Sequence, residues 1–335
     1  MATHSVSSLL NRLSRGGFKR DFVRSAILPD WWDDSLQSDA RLLPDIELRV
    51  ARFLGLPIAE VRDPSRPLAA QAAHSTVLRR TQGTSVESLH PAIHTARRVA
   101  EAVLRNMGDK PAGTIPSAPE EWRRQLVSGT KPVTLEVMLR DLWGRGIPVI
   151  PLEHLPSPTF QGMACVIGDR PVIIIGQKHD VPSRIAFFVA HEAGHLAAGD
   201  CANGQTIVDE SETGADSSDD REKKADRFAS RVLLDGADPT KLQGSDPRDL
   251  ALAAHTLQQK TGADAGALIF HWARRNGNNF TFANMAAKAL YQDKGARKAM
   301  TKFVTNNVSM EDASETDRAL LGLVTGDAAA PATSG

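Results

Sequence analysis

The stretch Ile185–Gly199, IAFFVAHEAGHLAAG, decides how this chain is read. Residues i and i+4 of an α-helix stand one above the other on the same face. His191 and His195 have that spacing, so both imidazoles reach a single metal ion. Glu192, directly after the first histidine, sits at the edge of the same face. It can hydrogen-bond a water activated at the metal without being a ligand. Zinc brings the pKa of such a water to about 7, and the carboxylate takes its proton as the oxygen attacks a carbonyl. That chemistry is the reason for the H-E-x-x-H arrangement. Two solvated histidines on an ordinary helix would give the same letters. Phe187, Phe188 and Val189 make the first half of this helix apolar, however, and a helix with so much buried face carries its histidines at a cleft.

The flanking sequence supports a structured context. Met163–Ile167 and Val172–Ile175 are β-rich runs joined by Gly168-Asp169-Arg170-Pro171, the signature of a hairpin. Pro182 suits a first helical turn, where its missing N–H is no loss. Before the hairpin, Leu135, Met138, Leu139 and Leu142 fall at i, i+3, i+4, i+7 of an amphipathic helix ending near Gly144 and Gly146. Ile147–Leu152 (IPVIPL) is a short strand candidate.

Catalytic zinc generally takes three protein ligands and keeps one position open. No H-x-x-G-x-x-H follows His195, which excludes the metzincin layout. The best third ligand is Glu222, opening the helix EKKADRFASRVLL (Glu222–Leu234). Glu222, Ala225, Asp226 and Ala229 share one face, and the two alanines allow close approach to the motif helix. Asp226, one turn on, can hold a ligand histidine through its other ring nitrogen. A solvated glutamate at a helix start is also favourable to the dipole, and Asp219 and Asp220 are alternative ligands or N-caps.

These motifs together resemble the ImmA/IrrE family of metallopeptidases. The resemblance rests on the entry ending in G-I-P-V-I, the hairpin with P-V-I-I-I, the H-E-A-G-H-L helix and the later E-x-x-A-D-R-F-A-S-x-V-L-L helix, about residues 130–236. It implies a gluzincin-type site with His191, His195 and Glu222 as ligands of Zn2+ and Glu192 as general base. It also implies a substrate: a helix-turn-helix repressor, cut to derepress stress, mobile-element or defence genes. Members commonly continue the second motif with L-L-M-P, where this chain has Leu233-Leu234-Asp235-Gly236. The competing reading is a metal-stabilised regulatory or DNA- or protein-binding module that has kept the fold and lost the chemistry.

The expected fold is α+β: a zincin-like metallopeptidase core with a small antiparallel sheet and the H-E-x-x-H helix, flanked by mainly helical N- and C-terminal regions. The core is placed at 130–240, after a helical region 1–125 of unassigned role and a Gly/Pro/Ser-rich linker near 108–117. A helical module follows at 245–325, and a disordered tail at 326–335. In the N-terminal region Ile46, Val50, Phe53 and Leu54 keep helical spacing, residues 86–107 read as a second helix, and Trp31 and Trp32 read as anchors. Residues 200–220 are rich in Asp, Glu, Gly and Ser and hold no Lys or Arg. They read as a mobile acidic loop near the cleft mouth, a docking place for a basic partner.

Among weaker signals, Leu252–Lys260, Thr261–Ala263 and Asp264–Arg275 have helix-turn-helix spacing, with Arg274, Arg275, Lys288, Lys294, Arg297 and Lys298 as local positive charge. DNA contact competes there with a packing module that has a solvated basic face. Lys+Arg and Asp+Glu both number 40 in the 335 residues, and that neutral balance favours packing. Tyr291 and His271 are candidate donors to a tetrahedral oxyanion. Cys165 and Cys201 are the only cysteines, too few for a disulfide framework, and either thiolate is a candidate latent metal ligand. No run approaches the roughly 18 apolar residues of a membrane span, and no secretory signal opens the chain. These absences give the expectation of a cytoplasmic protein.

Overall fold

Short β-branched runs in the computed structural model build five strands: β1 (Thr76–Arg79), β2 (Val149–Pro151), β3 (Gly162–Ile167), β4 (Arg170–Ile175) and β5 (Thr206–Asp209). The structure describes residues 4–69, 76–79, 86–129, 131–176, 178–201, 206–209, 220–290 and 295–325. The strands form one sheet in the order β1-β5-β3-β4-β2. The expected hairpin is β3–β4, antiparallel from Gly162 opposite Ile175 to Ile167 opposite Arg170.

The α+β class holds, but the sheet is mixed rather than purely antiparallel. β3 is antiparallel to both β4 and β5, whereas β2 runs parallel to β4 and β1 parallel to β5. The hairpin takes one edge of β4. The free edge receives β2, which runs in the same direction as β4. β5 is a correction to the reading of residues 200–220 as an acidic loop, since a strand lies within it. Thr206, Ile207 and Val208 are consecutive β-branched residues, suited to a pleated surface, and all three are buried. The acidic composition around them hid that signal. Residues 202–205 and 210–219 of the acidic segment lie outside the described residues, as do Tyr291 and the tail from Gly326.

The motif helix spans Pro182–Ala198 and ends on Gly199 in the left-handed region, φ 76°. It packs on β3 and β4 and along the helix Asp220–Leu234. The crossing of these two helices is tight because Gly194 has no side chain. A Cβ there would stand 3.2 Å from both Ala225 Cα and Phe228 Cβ. Ala225 and Ala229 are both buried, so small residues on both helices set the approach. Phe228 in turn stacks on buried Trp122, ring centroids 5.7 Å apart, a contact worth about 1 kcal/mol beyond its area.

The exit of the Asp220–Leu234 helix has its own support. Asp235 (φ 50°) and Gly236 (φ 75°) are both left-handed, which ends the helix abruptly. Arg123 fastens this corner. It donates to the carbonyls of Val232 (2.6 Å), Gly262 (2.8 Å) and Lys131 (3.3 Å) and lies 3.3 Å from Asp235 Oδ1.

The helical flanks pack on this centre, and one hydrophobic cluster reaches from Val6 to Val324. Ile46, Val50, Phe53 and Leu54 are buried on the helix Leu43–Leu54. Trp32 is buried as an anchor should be, but its neighbour Trp31 is 57% exposed. The helix Val86–Asn106 packs against Glu315–Thr325, and Arg97 reaches Thr206 Oγ1 of β5 at 3.2 Å. Helices Pro247–Thr261 and Ala265–Arg275 do flank a short turn at Gly262. The second one buries every residue from Ala265 to Phe270 and packs against the helices Pro247–Thr261 and Phe280–Leu290 as well as the motif helix. The C-terminal module continues in the helices Phe280–Leu290 and Ala296–Asn307. Among the described residues no helix is long and apolar enough to cross a membrane.

Candidate metal centre

Two helices deliver the centre. The motif helix contributes His191 and His195 one turn apart, and the Asp220–Leu234 helix brings Glu222 against them. All three side chains are buried, at 1%, 0% and 3% exposure. Donor atoms of all three converge: His191 Nε2 and His195 Nε2 are 3.2 Å apart, and the Glu222 carboxylate places Oε2 3.3 Å from the first and Oε1 3.4 Å from the second. These are the described residues' one grouping of His, Cys, Asp and Glu with metal-ligand geometry.

The triangle fits a metal ion by simple geometry. Zinc bonds of roughly 2.0–2.1 Å at tetrahedral angles place ligand atoms about 3.3–3.4 Å from each other. Electrostatics agree with geometry. Burial by itself would raise the Glu222 carboxyl, but hydrogen bonds from His191 and His195 outweigh it and hold the group well below the usual carboxylate range. Burial would likewise lower His195, yet hydrogen bonds to Asp200 and Glu222 raise it to about 9. Two nitrogens and a carboxylate oxygen facing inward suit a borderline divalent ion.

Each imidazole is held from behind. His191 Nδ1 lies 3.0 Å from Asp226 Oδ1, and His195 Nδ1 lies 2.8 Å from Asp200 Oδ2. A carboxylate on Nδ1 fixes the tautomer that leaves Nε2 to face the metal. Asp226 thus stands where its helix face places it. Asp200 is a member of the set that sequence reasoning missed. Its signal was the Gly199-Asp200 pair just past the motif, readable only if the helix ends in a left-handed residue.

Glu192 is fully buried between the motif helix and β3. The room for its carboxylate comes from Gly162, a second residue that the motif alone does not reveal. Any Cβ at 162 would stand 2.9 Å from Glu192 Cδ and nearer still to Oε1.

Among the described residues the other candidates are not part of the donor cluster. His271 is one layer out: its ring packs edge-on against Phe187 at 5.6 Å, and Nε2 is 3.1 Å from Ser230 Oγ. Burial pushes its pKa down to about 4, so the ring is neutral at ordinary pH. Asp220 is exposed at the first turn of its helix and is not part of the triangle, and Asp219 lies outside the described residues. Cys165 and Cys201 are buried, Cys201 against Ala164 and Ile207. Burial raises both thiols, Cys165 to about 12, which opposes the thiolate that metal ligation needs.

Residues 150–271 match the family described as the IrrE N-terminal-like domain, Peptidase_M78. The matched span holds β2 to β5, the motif helix, the Glu222 helix and His271. No curated protein matches the chain.

Proposed function

From a chain whose residues 150–271 belong to the ImmA/IrrE metallopeptidase family, we propose a zinc-dependent endopeptidase that cuts one specific protein. The observation that carries the reading is the buried His191–His195–Glu222 cluster, in which the two Nε2 atoms lie 3.2 Å apart and each has a Glu222 carboxylate oxygen at 3.3–3.4 Å. Zinc bound there supplies Lewis acidity, polarising a carbonyl and bringing a water into the range of a neutral-pH nucleophile.

The chain's own residues do the rest. Glu222 supplies a negative charge to the donor set, and the two histidines supply neutral nitrogens. Asp226 accepts from His191 Nδ1–H and keeps that ring aimed. Glu192 takes the proton from the attacking water at its carboxylate and hands it to the departing amine. It can do so because burial beside Gly162 holds the carboxylate still. A positioned general base of this kind contributes about 10²–10⁴ in rate.

The substrate follows from the family resemblance: a helix-turn-helix transcriptional repressor, whose cleavage derepresses stress, mobile-element or defence genes. The test is incubation of the zinc-loaded chain with candidate repressors, read by gel and mass spectrometry. One repressor cut at a single position by wild type, and left whole by Glu192→Gln, supports the proposal. Efficient digestion of casein-like bulk substrates, with every repressor left intact, contradicts it.

A further inference from the structure

His195 and Asp200 grip each other at two points. The backbone N–H of Asp200 donates to the carbonyl of His195 at 3.0 Å, and the imidazole Nδ1 of His195 meets Asp200 Oδ2 at 2.8 Å. Both contacts depend on the residue between the helix and the aspartate. Gly199 has φ 76° and ψ 17°, and its own N–H turns back to the carbonyls of His195 and Leu196. The left-handed turn reverses the chain, so a carboxylate five residues after a ligand histidine returns to that histidine's far side. The helix's own C-cap therefore delivers the carboxylate.

We infer that Asp200 is a positioning residue for the metal, and that the Gly199 cap sets how tightly the metal is held; this rests on the metal reading above. The two histidines, both on the motif helix, are held by carboxylates from either side of the connection to the next helix. Asp226 lies on the second helix, where its position is fixed by helix packing. Asp200 lies at the start of the connection, directly after the Gly199 cap. His195 is fully buried and Asp200 only partly so, at 14% side-chain exposure. The carboxylate thus links a fully buried ring to the partly exposed start of the connection. With Nδ1–H donated to Asp200, Nε2 is the ring nitrogen left to face a metal ion. Loss of Asp200 frees the ring to rotate and to take the other tautomer, and both weaken the nitrogen as a ligand.

The experiment measures zinc affinity of the full chain by competition with a chromophoric chelator, for wild type, Asp200→Ala, Asp200→Asn, Asp200→Glu and Gly199→Ala. Asp200→Ala is expected to weaken zinc by roughly 10–100-fold, the usual loss for such a partner. Asp200→Asn, which keeps an acceptor oxygen and nearly the same shape, is expected to fall between it and wild type, and keeps the test readable if the alanine variant does not fold. Gly199→Ala touches no ligand and meets no atom within 4 Å. It strains only the left-handed cap, and it is expected to weaken zinc several-fold. Cobalt substituted for zinc gives a second readout: its visible absorption bands shift in the Asp200 variants as the His195 ring turns, and a merely structural role for Asp200 would leave them in place. Zinc affinity and cobalt bands equal to wild type in both Asp200→Ala and Asp200→Asn overturn the inference while leaving the metal reading intact. A wild-type chain that takes up no zinc overturns the metal reading, and this inference with it.

Discussion

Gly162 and Glu192 occupy one space: a Cβ on the first would lie 2.9 Å from Cδ of the second. The strand residue is a glycine because the helix residue is a buried carboxylate. Substitution at 162 therefore acts on Glu192 without touching any proposed ligand. Gly162→Ala is expected to retain zinc and to lower kcat at least tenfold, with KM little changed. Zinc content and steady-state kinetics on the same preparation check it. A variant with wild-type kcat would separate Gly162 from the chemistry.

Glu192→Gln keeps the shape of the buried side chain and removes its basicity. Cleavage should drop by about 10²–10⁴ while zinc content stays the same. Metal analysis beside a cleavage assay distinguishes this from loss of the site. Retained cleavage would favour a different base.

Arg123 ties together the end of the Glu222 helix, the Gly262 turn and Lys131 through three carbonyls and Asp235. It is buried, so its removal strands those carbonyls without a donor. Arg123→Met should destabilise the fold by about 2–4 kcal/mol. Denaturant unfolding measures it, and a loss under about 0.5 kcal/mol, the ordinary surface value, would contradict the assignment.

His94 gives an acid sensitivity to the N-terminal packing. Its ring lies 6.4 Å from both Phe18 and Phe53. Burial first, and the nearby Arg98 cation second, push its pKa down to about 4 from an ordinary 6.5. The unfolded chain then binds a proton that the folded chain does not, between those two values. Stability from this residue is complete above pH 6.5 and falls as pH drops toward 4. His94→Phe should flatten that part of the Tm-against-pH curve. Parallel curves for wild type and variant would contradict the cause.

What the sequence revealed and what it hid divide along physical lines. Helical spacing alone brings His191 over His195, and the Glu222–Asp226 face follows from the same periodicity. Asp200 could not be read that way, because its place depends on one left-handed backbone angle at Gly199 beyond the end of the helix. Gly162 and Gly194 act by absence of a side chain, which no pattern of polar or apolar letters records. β5 was hidden by composition: three β-branched residues among many acidic ones. His271 falls on the correct helix, but ring packing with Phe187 and a hydrogen bond to Ser230 engage it one layer from the triangle. Trp31 and Trp32 are neighbours with opposite fates, since adjacent side chains on a turn point to different sides.

The central claim is that His191, His195 and Glu222 hold one zinc ion. The most direct measurement is metal content per chain for wild type, His195→Ala and Glu222→Ala, purified side by side and confirmed folded. About one zinc per chain in wild type and close to none in both variants is the predicted result. Equal zinc in all three, or none in a folded wild type given zinc, would contradict the account.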